Sequence, residues 1–99
     1  MAVVEVSITP LGTATPGVSG YVAGCLKIVR NSGIKHQLTP MGTILEGELD
    51  EILPLIRQMQ ESVFATGVMR VSTLIKIDDR RDKDDHTMAG KLRSVEQKI

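Results

Sequence analysis

Residues 3–8 read VVEVSI and residues 71–77 read VSTLIKI, and in both stretches apolar and polar side chains mostly alternate. Such alternation is typical of a β-strand with one buried face. Two helical patterns and a central turn lie between these stretches, which gives the order strand, helix, strand, strand, helix, strand. This order predicts an α+β, ferredoxin-like βαββαβ sandwich with a four-stranded antiparallel sheet, two helices on one face and a C-terminal helical tail.

The limits of the predicted elements follow from glycine, proline and apolar spacing. Pro10 and the loop-forming residues after it are expected to stop the first strand, and Ser19 is a possible cap for the first helix. Pro40-Met41-Gly42 is expected to form the turn of a hairpin. The predicted strands cover residues 3–8, 34–39, 43–48 and 70–77, and the predicted helices cover residues 18–33, 49–66 and 88–99.

Length and composition restrict the class of protein. A chain of 99 residues predicts a single domain, residues 1–99, with one modest core. The formal net charge is zero and Tyr21 and Phe64 are the only aromatic residues, which argues against a nucleic-acid-binding surface. No apolar run reaches the roughly 20 residues that a membrane helix needs. Acidic Glu5 lies where a signal peptide would be basic, so a cytoplasmic location is expected.

The reactive residue types favour structural roles. The single cysteine, Cys25, lies in an apolar helical pattern and is expected to pack in the core. His36 is expected to be a satisfied strand histidine, and His86 a solvated loop residue. Mixed charges over residues 78–85 are expected to form ion pairs within the chain or between subunits. No metal site, cofactor or catalytic residue is predicted.

The sheet face opposite the helices, called the open face here, is predicted to be polar at its centre. If Val4 and Val6 point to the helices, the period of two places Glu5 on the open face. Glu46 falls on a central strand, where oligomerisation through this face would bury it. A buried carboxylate needs a cation or a donor, so Glu46 is a candidate ligand-binding acid, although a polar sheet face can also simply be solvated. The other residues expected on the open face are Ser7, Thr9, Ile44, Glu48, Ser72, Leu74 and Lys76, and either His36 or Gln37.

Four segments together resemble the small thiamine-binding protein family, formerly a family of unknown function. They are ITPLG at residues 8–12, SGYVA at 19–23, MGTILE at 41–46 and IKIDDRRD at 75–82. The resemblance extends from Val4 to Ile99. It implies the ferredoxin-like fold, homotetramers assembled as dimers of dimers through the sheets, and binding of thiamine or its pyrimidine moiety, hydroxymethylpyrimidine.

The predicted site follows from the chemistry of that ligand. Thiamine carries a cationic thiazolium ring and an aminopyrimidine with donor and acceptor groups, so its site needs a carboxylate, hydroxyl groups and an apolar lining. Glu46 is the predicted partner of the amine or the cation. Few aromatic residues are available for stacking, so moderate affinity is expected unless a neighbouring subunit contributes Tyr21. The full predicted ligand-binding set is Ser7, Thr39, Met41, Thr43, Ile44, Glu46 and Leu74.

Three classes of function remain open from the sequence. The first is a non-catalytic binding protein for thiamine or its pyrimidine moiety, acting in salvage, storage or delivery. The alternative is a small-molecule enzyme or regulator with a carboxylate general base in an intersubunit cleft, although no nucleophile arrangement supports it. A purely structural interaction module is the third, and a polar open face gives little reason for it.

Overall fold

The computed structural model describes residues 1–83 and 86–99. The sheet has the strand order β2-β3-β1-β4, and all neighbouring strands are antiparallel. The predicted ferredoxin-like α+β sandwich is therefore confirmed, with the first and third strands at the centre. The strands are β1 (Ala2–Leu11), β2 (Lys35–Thr39), β3 (Gly42–Gly47) and β4 (Arg70–Asp79), and the helices are α1 (Ser19–Ser32), α2 (Leu49–Phe64) and α3 (Met88–Glu96).

The core lies between one face of this sheet and helices α1 and α2. Val4 and Val6 of β1 and Leu45 of β3 are at most 2% exposed. Burying one such aliphatic side chain stabilises a fold by roughly 1.5–3 kcal/mol. The predicted alternation of faces is confirmed, because these residues pair across the strands in the expected register. The helices add the apolar stripes Cys25, Val29, Ile52, Leu55, Ile56, Met59 and Val63 to the same core.

The alternation in β2 is settled by its pairing with β3. Gln37 lies opposite Ile44 and therefore belongs to the open face, whereas His36 lies opposite Leu45 on the helix side. The Nδ1 atom of His36 is 2.9 Å from the Ile34 carbonyl oxygen. The prediction of a satisfied strand histidine is confirmed.

β1 is longer than predicted because Pro10 does not end it. The strand continues through Pro10 to Leu11, and both residues pair with β4. A Cβ atom built on Gly42 of β3 would lie 2.9 Å from the Val6 carbonyl oxygen, so this carbonyl group points towards β3. Because peptide groups alternate in direction along a strand, those of the other even-numbered residues of β1 also face β3. The last pair between β1 and β3 is Val6 with Thr43. Pro10 thus lacks its N–H on a side where no strand needs a donor.

α1 begins without a side-chain cap and ends at a glycine. Its N-cap is Val18, whose carbonyl accepts hydrogen bonds from the N–H groups of Tyr21 and Val22. Ser19 is already the first helical residue, so the prediction of a Ser19 cap is wrong. The predicted end is confirmed, because Gly33 has a φ of +76° and closes the helix in the left-handed conformation that glycine favours.

α3 contacts the open face through its N-terminal end. Its N-cap is Thr87, whose hydroxyl accepts a hydrogen bond from the Gly90 N–H at 2.9 Å. Met88 is buried, whereas Leu92 and Val95 on the following turns are 57% and 59% exposed. Only one end of this helix is therefore buried. Within the described ranges, no helix is long and apolar enough to cross a membrane.

Candidate functional site

A notch in the sheet results from the different lengths of its two central strands. β3 begins only at Gly42, but β1 continues beyond Val6 as Ser7–Leu11, which pairs only with β4. The notch is the space beside Ser7–Leu11, bounded by the tip of the β2–β3 hairpin. Since even-numbered residues of β1 face β3, the N–H and C=O groups of Ile8 point into the notch. An unpaired strand edge is a ready hydrogen-bonding surface.

The hairpin tip is held in shape by Thr39. Its hydroxyl donates to the Gly42 carbonyl at 2.8 Å and accepts from the N–H groups of Met41 and Gly42 at 3.3 and 3.1 Å. Gly42 is required here, because a Cβ atom on it would lie 2.9 Å from the Val6 carbonyl oxygen. The hydrogen bonds of Thr39 are thus used within the turn, and its hydroxyl supports the notch rather than reaching into it.

A cavity of about 190 Å³ extends from the notch towards the helices. Val18, Val22 and Cys25 of the α1 region and Met59 of α2 form its apolar wall, and Leu38 and Met41 of the hairpin flank it. Met41 is 84% exposed, so its side chain is free to move over the opening. The cavity is therefore an apolar slot with a hydrogen-bonding rim.

The polar groups at this cavity are hydroxyl and peptide groups. Ser7, Thr9 and Thr43 lie in its lining. Within the described chain, the hydroxyls of Ser7 and Thr43 have no hydrogen-bond partner. Among residues 1–83 and 86–99, those that line the cavity include no lysine, arginine, histidine, aspartate or glutamate. The site is suited to an uncharged polar ring.

Cys25 is the one ionisable side chain in this lining. It is 6% exposed, and its Sγ atom lies 3.5 Å from the Met59 carbonyl oxygen. Burial raises the pKa of the Cys25 thiol, an effect that its contact with Ser62 only partly opposes. A thiol that stays protonated is a poor nucleophile, so the prediction of an inert core cysteine is confirmed by its burial.

The structure separates the predicted site residues into two groups. Ser7, Thr39, Met41 and Thr43 line the cavity at the notch. Ile44, Glu46 and Leu74 are not part of this lining and lie on the open face of the sheet, where Leu74 is opposite Ser7 in the register of β1 and β4. Glu46 is three positions along β3 from Thr43, a distance of about 10 Å, and its side chain points to the opposite face.

The Glu46 carboxylate has a partner within its own chain. Its side chain is 3% exposed, and Oε1 accepts a hydrogen bond from the Met88 N–H at 2.6 Å. The other oxygen lies 3.5 Å from Lys35 Nζ. The first N–H groups of a helix have no partner within the helix, so Glu46 satisfies one of them in α3. The need for a donor was predicted, but the donor is a backbone amide 42 residues away.

His86 is buried, so the prediction of a solvated loop is wrong. Its side chain is 7% exposed because the start of α3 folds onto the open face. Nε2 lies 3.4 Å from Asp78 Oδ1. Lys91 of α3 also pairs with Asp78 and lowers the pKa of that carboxyl. Asp78 thus fastens α3 to β4.

The charged residues at the end of β4 and after it form ion pairs within the chain, which was one of the two predicted arrangements. Arg80 pairs with Asp82 at 2.6 Å, and Arg81 pairs with Asp79 at 3.1 Å. Residues 84 and 85 of the predicted run lie outside the described residues. In the described part of the chain, no group of acidic, histidine and cysteine side chains has the arrangement of a metal site.

Several residues of the cavity were not predicted from the sequence. Val18, Val22 and Met59 belong to helical stripes, and their spacing shows burial but not that they border a cavity. The N–H and C=O groups of Ile8 belong to the main chain, so no residue type in the sequence indicates that they border a cavity. The one usable signal is length, because an alternating strand that outlasts its neighbour leaves an unpaired edge.

Fold and cavity define a class of protein: small ferredoxin-like domains with an uncharged cavity beside the central strand. The model of one family, described as thiamine-binding protein, matches residues 4–96. The chain belongs to this family.

Relatives and solved structures agree with that assignment. The UPF0045 protein YqgV of Bacillus subtilis strain 168 is 46% identical over 103 residues, which cover 100% of this chain and 98% of that one. The crystal structure of the hypothetical protein MJ1052 of Methanocaldococcus jannaschii matches with a TM-score of 0.87 at 38% identity, over 97% and 96% of the two chains. A putative thiamine biosynthesis/salvage protein of Thermotoga maritima, TM0486, matches with a TM-score of 0.79 over 95% and 97%. Its 17% identity shows the shared fold alone.

Proposed function

We propose that this protein binds thiamine or its pyrimidine moiety, hydroxymethylpyrimidine, in the cavity at the notch, without converting it chemically. The observation that supports this most directly is the uncharged cavity beside an unpaired strand edge. Membership of the thiamine-binding family supports the choice of ligand. A carrier or storage role in thiamine salvage is the corresponding biological function.

The size of the cavity favours one ring of the ligand. Sites that enclose a whole drug-sized molecule have volumes of about 300–1,000 Å³. The cavity has about 190 Å³, so it takes a single substituted ring and leaves the remainder outside. The neutral aminopyrimidine suits an uncharged lining, whereas the cationic thiazolium keeps its hydration at the mouth.

Hydrogen bonding supports the same orientation. An aminopyrimidine has an amine donor beside a ring-nitrogen acceptor on one edge. The Ile8 C=O and N–H groups provide the complementary acceptor and donor on the edge of β1, and Thr43 and Ser7 also line the cavity. A ring held by a strand edge gains main-chain hydrogen bonds without any charged partner.

Methionine replaces aromatic stacking in this arrangement. Met59 lies at the inner wall and Met41 at the mouth of the cavity. A thioether near an aromatic ring contributes about 0.3–1.5 kcal/mol, and an unbranched side chain adapts to the ring. Tyr21 of a neighbouring subunit, the residue considered for stacking, does not line this cavity within its own chain.

The remaining parts of the functional prediction rest on the family alone. A homotetramer built as a dimer of dimers is proposed on that basis. The alternative, an enzyme or regulator with a carboxylate base, depends on Glu46, whose carboxylate is bonded to the Met88 N–H. Turnover of a bound pyrimidine compound would be its direct demonstration.

The test is calorimetric titration of the purified protein with thiamine, hydroxymethylpyrimidine and thiamine diphosphate. We expect both unphosphorylated compounds to bind with similar affinity, since they share the enclosed ring. In the variant Thr43→Val, loss of one hydrogen bond should weaken binding by roughly three- to tenfold.

Glu46→Gln is the matched control, because it changes a polar residue of the same strand outside the cavity. Its affinity for the ligand should equal that of the wild-type protein. Absence of binding heat with every compound would overturn the proposal. Loss of affinity in Glu46→Gln but not in Thr43→Val would move the site to the open face.

A further inference from the structure

The cavity at the notch is lined by three sulfur-containing side chains, and they differ widely in their access to water. They belong to Cys25, Met41 and Met59. Cys25 is 6% exposed and Met59 is 2% exposed, whereas Met41 is 84% exposed. Because oxidation of sulfur side chains follows their exposure, Met41 is the group of this lining that a dissolved oxidant reaches first.

The hairpin turn keeps the backbone of Met41 beside the cavity. Its N–H donates a hydrogen bond to the Thr39 hydroxyl at 3.3 Å. The preceding residue is Pro40, whose ring fixes φ. The following residue, Gly42, packs so closely on β1 that a Cβ atom there would lie 2.9 Å from the Val6 carbonyl oxygen. A chemical change at the sulfur atom of Met41 therefore takes effect at the cavity, because the turn has little room to move away.

The surroundings of Met41 make the site sensitive to the polarity of this side chain. Val18, Val22 and Leu38 line the same cavity with apolar groups. Oxidation to the sulfoxide turns a flexible apolar side chain into a polar one. The new oxygen accepts hydrogen bonds from water, and covering it with a ligand ring would remove that hydration at a cost in free energy. The oxidised side chain thus remains in water and no longer packs on the ring.

A second exposed methionine provides an internal comparison. Met69 is 92% exposed and borders a different depression, together with Leu11 and Val68. It does not line the cavity at the notch. Oxidation of Met69 is therefore the same chemical change at similar exposure, but away from the proposed site.

We propose that Met41 is a regulatory oxidation site, at which conversion of the thioether to the sulfoxide by a peroxide weakens ligand binding in the cavity. The inference rests on the function proposed above, since it concerns the regulation of that same site. The buried thiol of Cys25 takes no part in it.

The proposed modification is a two-electron oxygen transfer. A lone pair of Met41 Sδ attacks one oxygen atom of hydrogen peroxide, so that an S–O bond forms and the O–O bond breaks. The sulfur is oxidised, and the peroxide is reduced and leaves as hydroxide, which takes the proton of the transferred oxygen to give water. Reversal needs a dithiol, which becomes a disulfide while the sulfoxide oxygen leaves as water; methionine sulfoxide reductases catalyse this reduction.

The first measurement locates the oxidation. The purified protein is treated with hydrogen peroxide, with and without hydroxymethylpyrimidine, and peptide mass spectrometry gives the sulfoxide fraction at each methionine. Met41 and Met69 should be converted well before the buried Met59. Bound hydroxymethylpyrimidine should slow the conversion of Met41, because the ring covers its thioether, and should leave the rate at Met69 unchanged.

The second measurement is calorimetric titration of the oxidised protein with hydroxymethylpyrimidine. Binding should be about three- to tenfold weaker than in the untreated protein, since the contact between thioether and ring is lost. The Met69→Leu variant should lose the same factor on oxidation. Met41→Leu has no thioether at the mouth, so its affinity should be the same before and after treatment. Methionine sulfoxide reductase with a dithiol should restore the affinity of the wild-type protein.

The possible failures of the two proposals can be told apart. Absence of binding by the untreated protein would overturn the proposed function and this inference with it. If the untreated protein binds, an unchanged affinity after conversion of Met41 would overturn the inference alone. Conversion of Met41 no faster than that of Met59, or an equal loss of affinity in Met41→Leu, would also overturn it.

Discussion

Glu46 shows what a single residue can reveal at the level of the sequence. Its place on the open face of a central strand predicted burial by a second subunit and a need for a cation or a donor. The donor could not be predicted, because α3 reaches the open face only through tertiary folding. The sequence pattern of a strand defines which face a side chain occupies, and it carries no information on what covers that face.

Removal of this carboxylate should destabilise the protein. We expect Glu46→Ala to lower the free energy of unfolding by about 1–3 kcal/mol, since the buried Met88 N–H loses its acceptor. Glu46→Gln keeps a neutral acceptor and should cost less. Urea denaturation measures both, with the exposed Glu5→Gln as control. Equal stability of Glu46→Ala and the control would show that the bond contributes nothing.

Asp78 gives the attachment of α3 a defined pH dependence. The hydrogen bond from Lys91 is the main cause that lowers the pKa of Asp78, and the nearby His86 adds to it. A carboxyl whose folded pKa lies below its unfolded value stabilises the fold above that unfolded value, near 4. This contribution is lost as the pH falls through the lower, folded pKa.

We therefore expect the stability difference between the wild-type protein and Asp78→Asn to be largest near neutral pH and to shrink below about pH 4. Urea midpoints at several pH values measure it. In a Lys91→Met background, Asp78→Asn should have a smaller effect. A difference that is independent of pH would argue against the ion pair.

At the scale of the elements, local sequence patterns predicted the type and order of the helices and strands better than their lengths. The alternation in β1 and the stripe of α2 identified their faces correctly. The end of β1 was missed because the effect of Pro10 depends on whether a neighbouring strand needs its N–H. That neighbour, β3, ends earlier, and the resulting notch was invisible for the same reason.

Two glycine substitutions, one inside α1 and one at its C-terminal end, test how backbone conformation affects the stability of the protein. Gly33→Ala should lower the free energy of unfolding by about 1–2 kcal/mol, because a φ of +76° is strained for alanine. Gly24→Ala should raise it by about 0.5–1 kcal/mol, since a Cβ atom there meets nothing within 4 Å. Thermal or urea unfolding measures both. Equal effects of the two substitutions would contradict the role of Gly33.

At the scale of the whole molecule, the topology was predicted and the site only in part. Patterns of period two and helical spacing suffice for a ferredoxin-like arrangement of this length. Ser7, Thr39, Met41 and Thr43 of the predicted site meet at the cavity because they flank one hairpin and its neighbour strand. Glu46 was grouped with them by chemistry, which carries no information on distance.

The notch has a consequence for how this protein tolerates mutation. Its rim includes the main chain of Ile8, and a substitution other than proline leaves those N–H and C=O groups in place. The hairpin opposite is less tolerant, because one added methyl group at Gly42 meets the Val6 carbonyl oxygen at 2.9 Å. The unpaired main-chain groups of this surface thus depend on the relative lengths of β1 and β3 more than on particular side chains. Substitution of Thr9 by residues other than proline should therefore leave the notch intact, whereas insertion of a single residue in the hairpin should not.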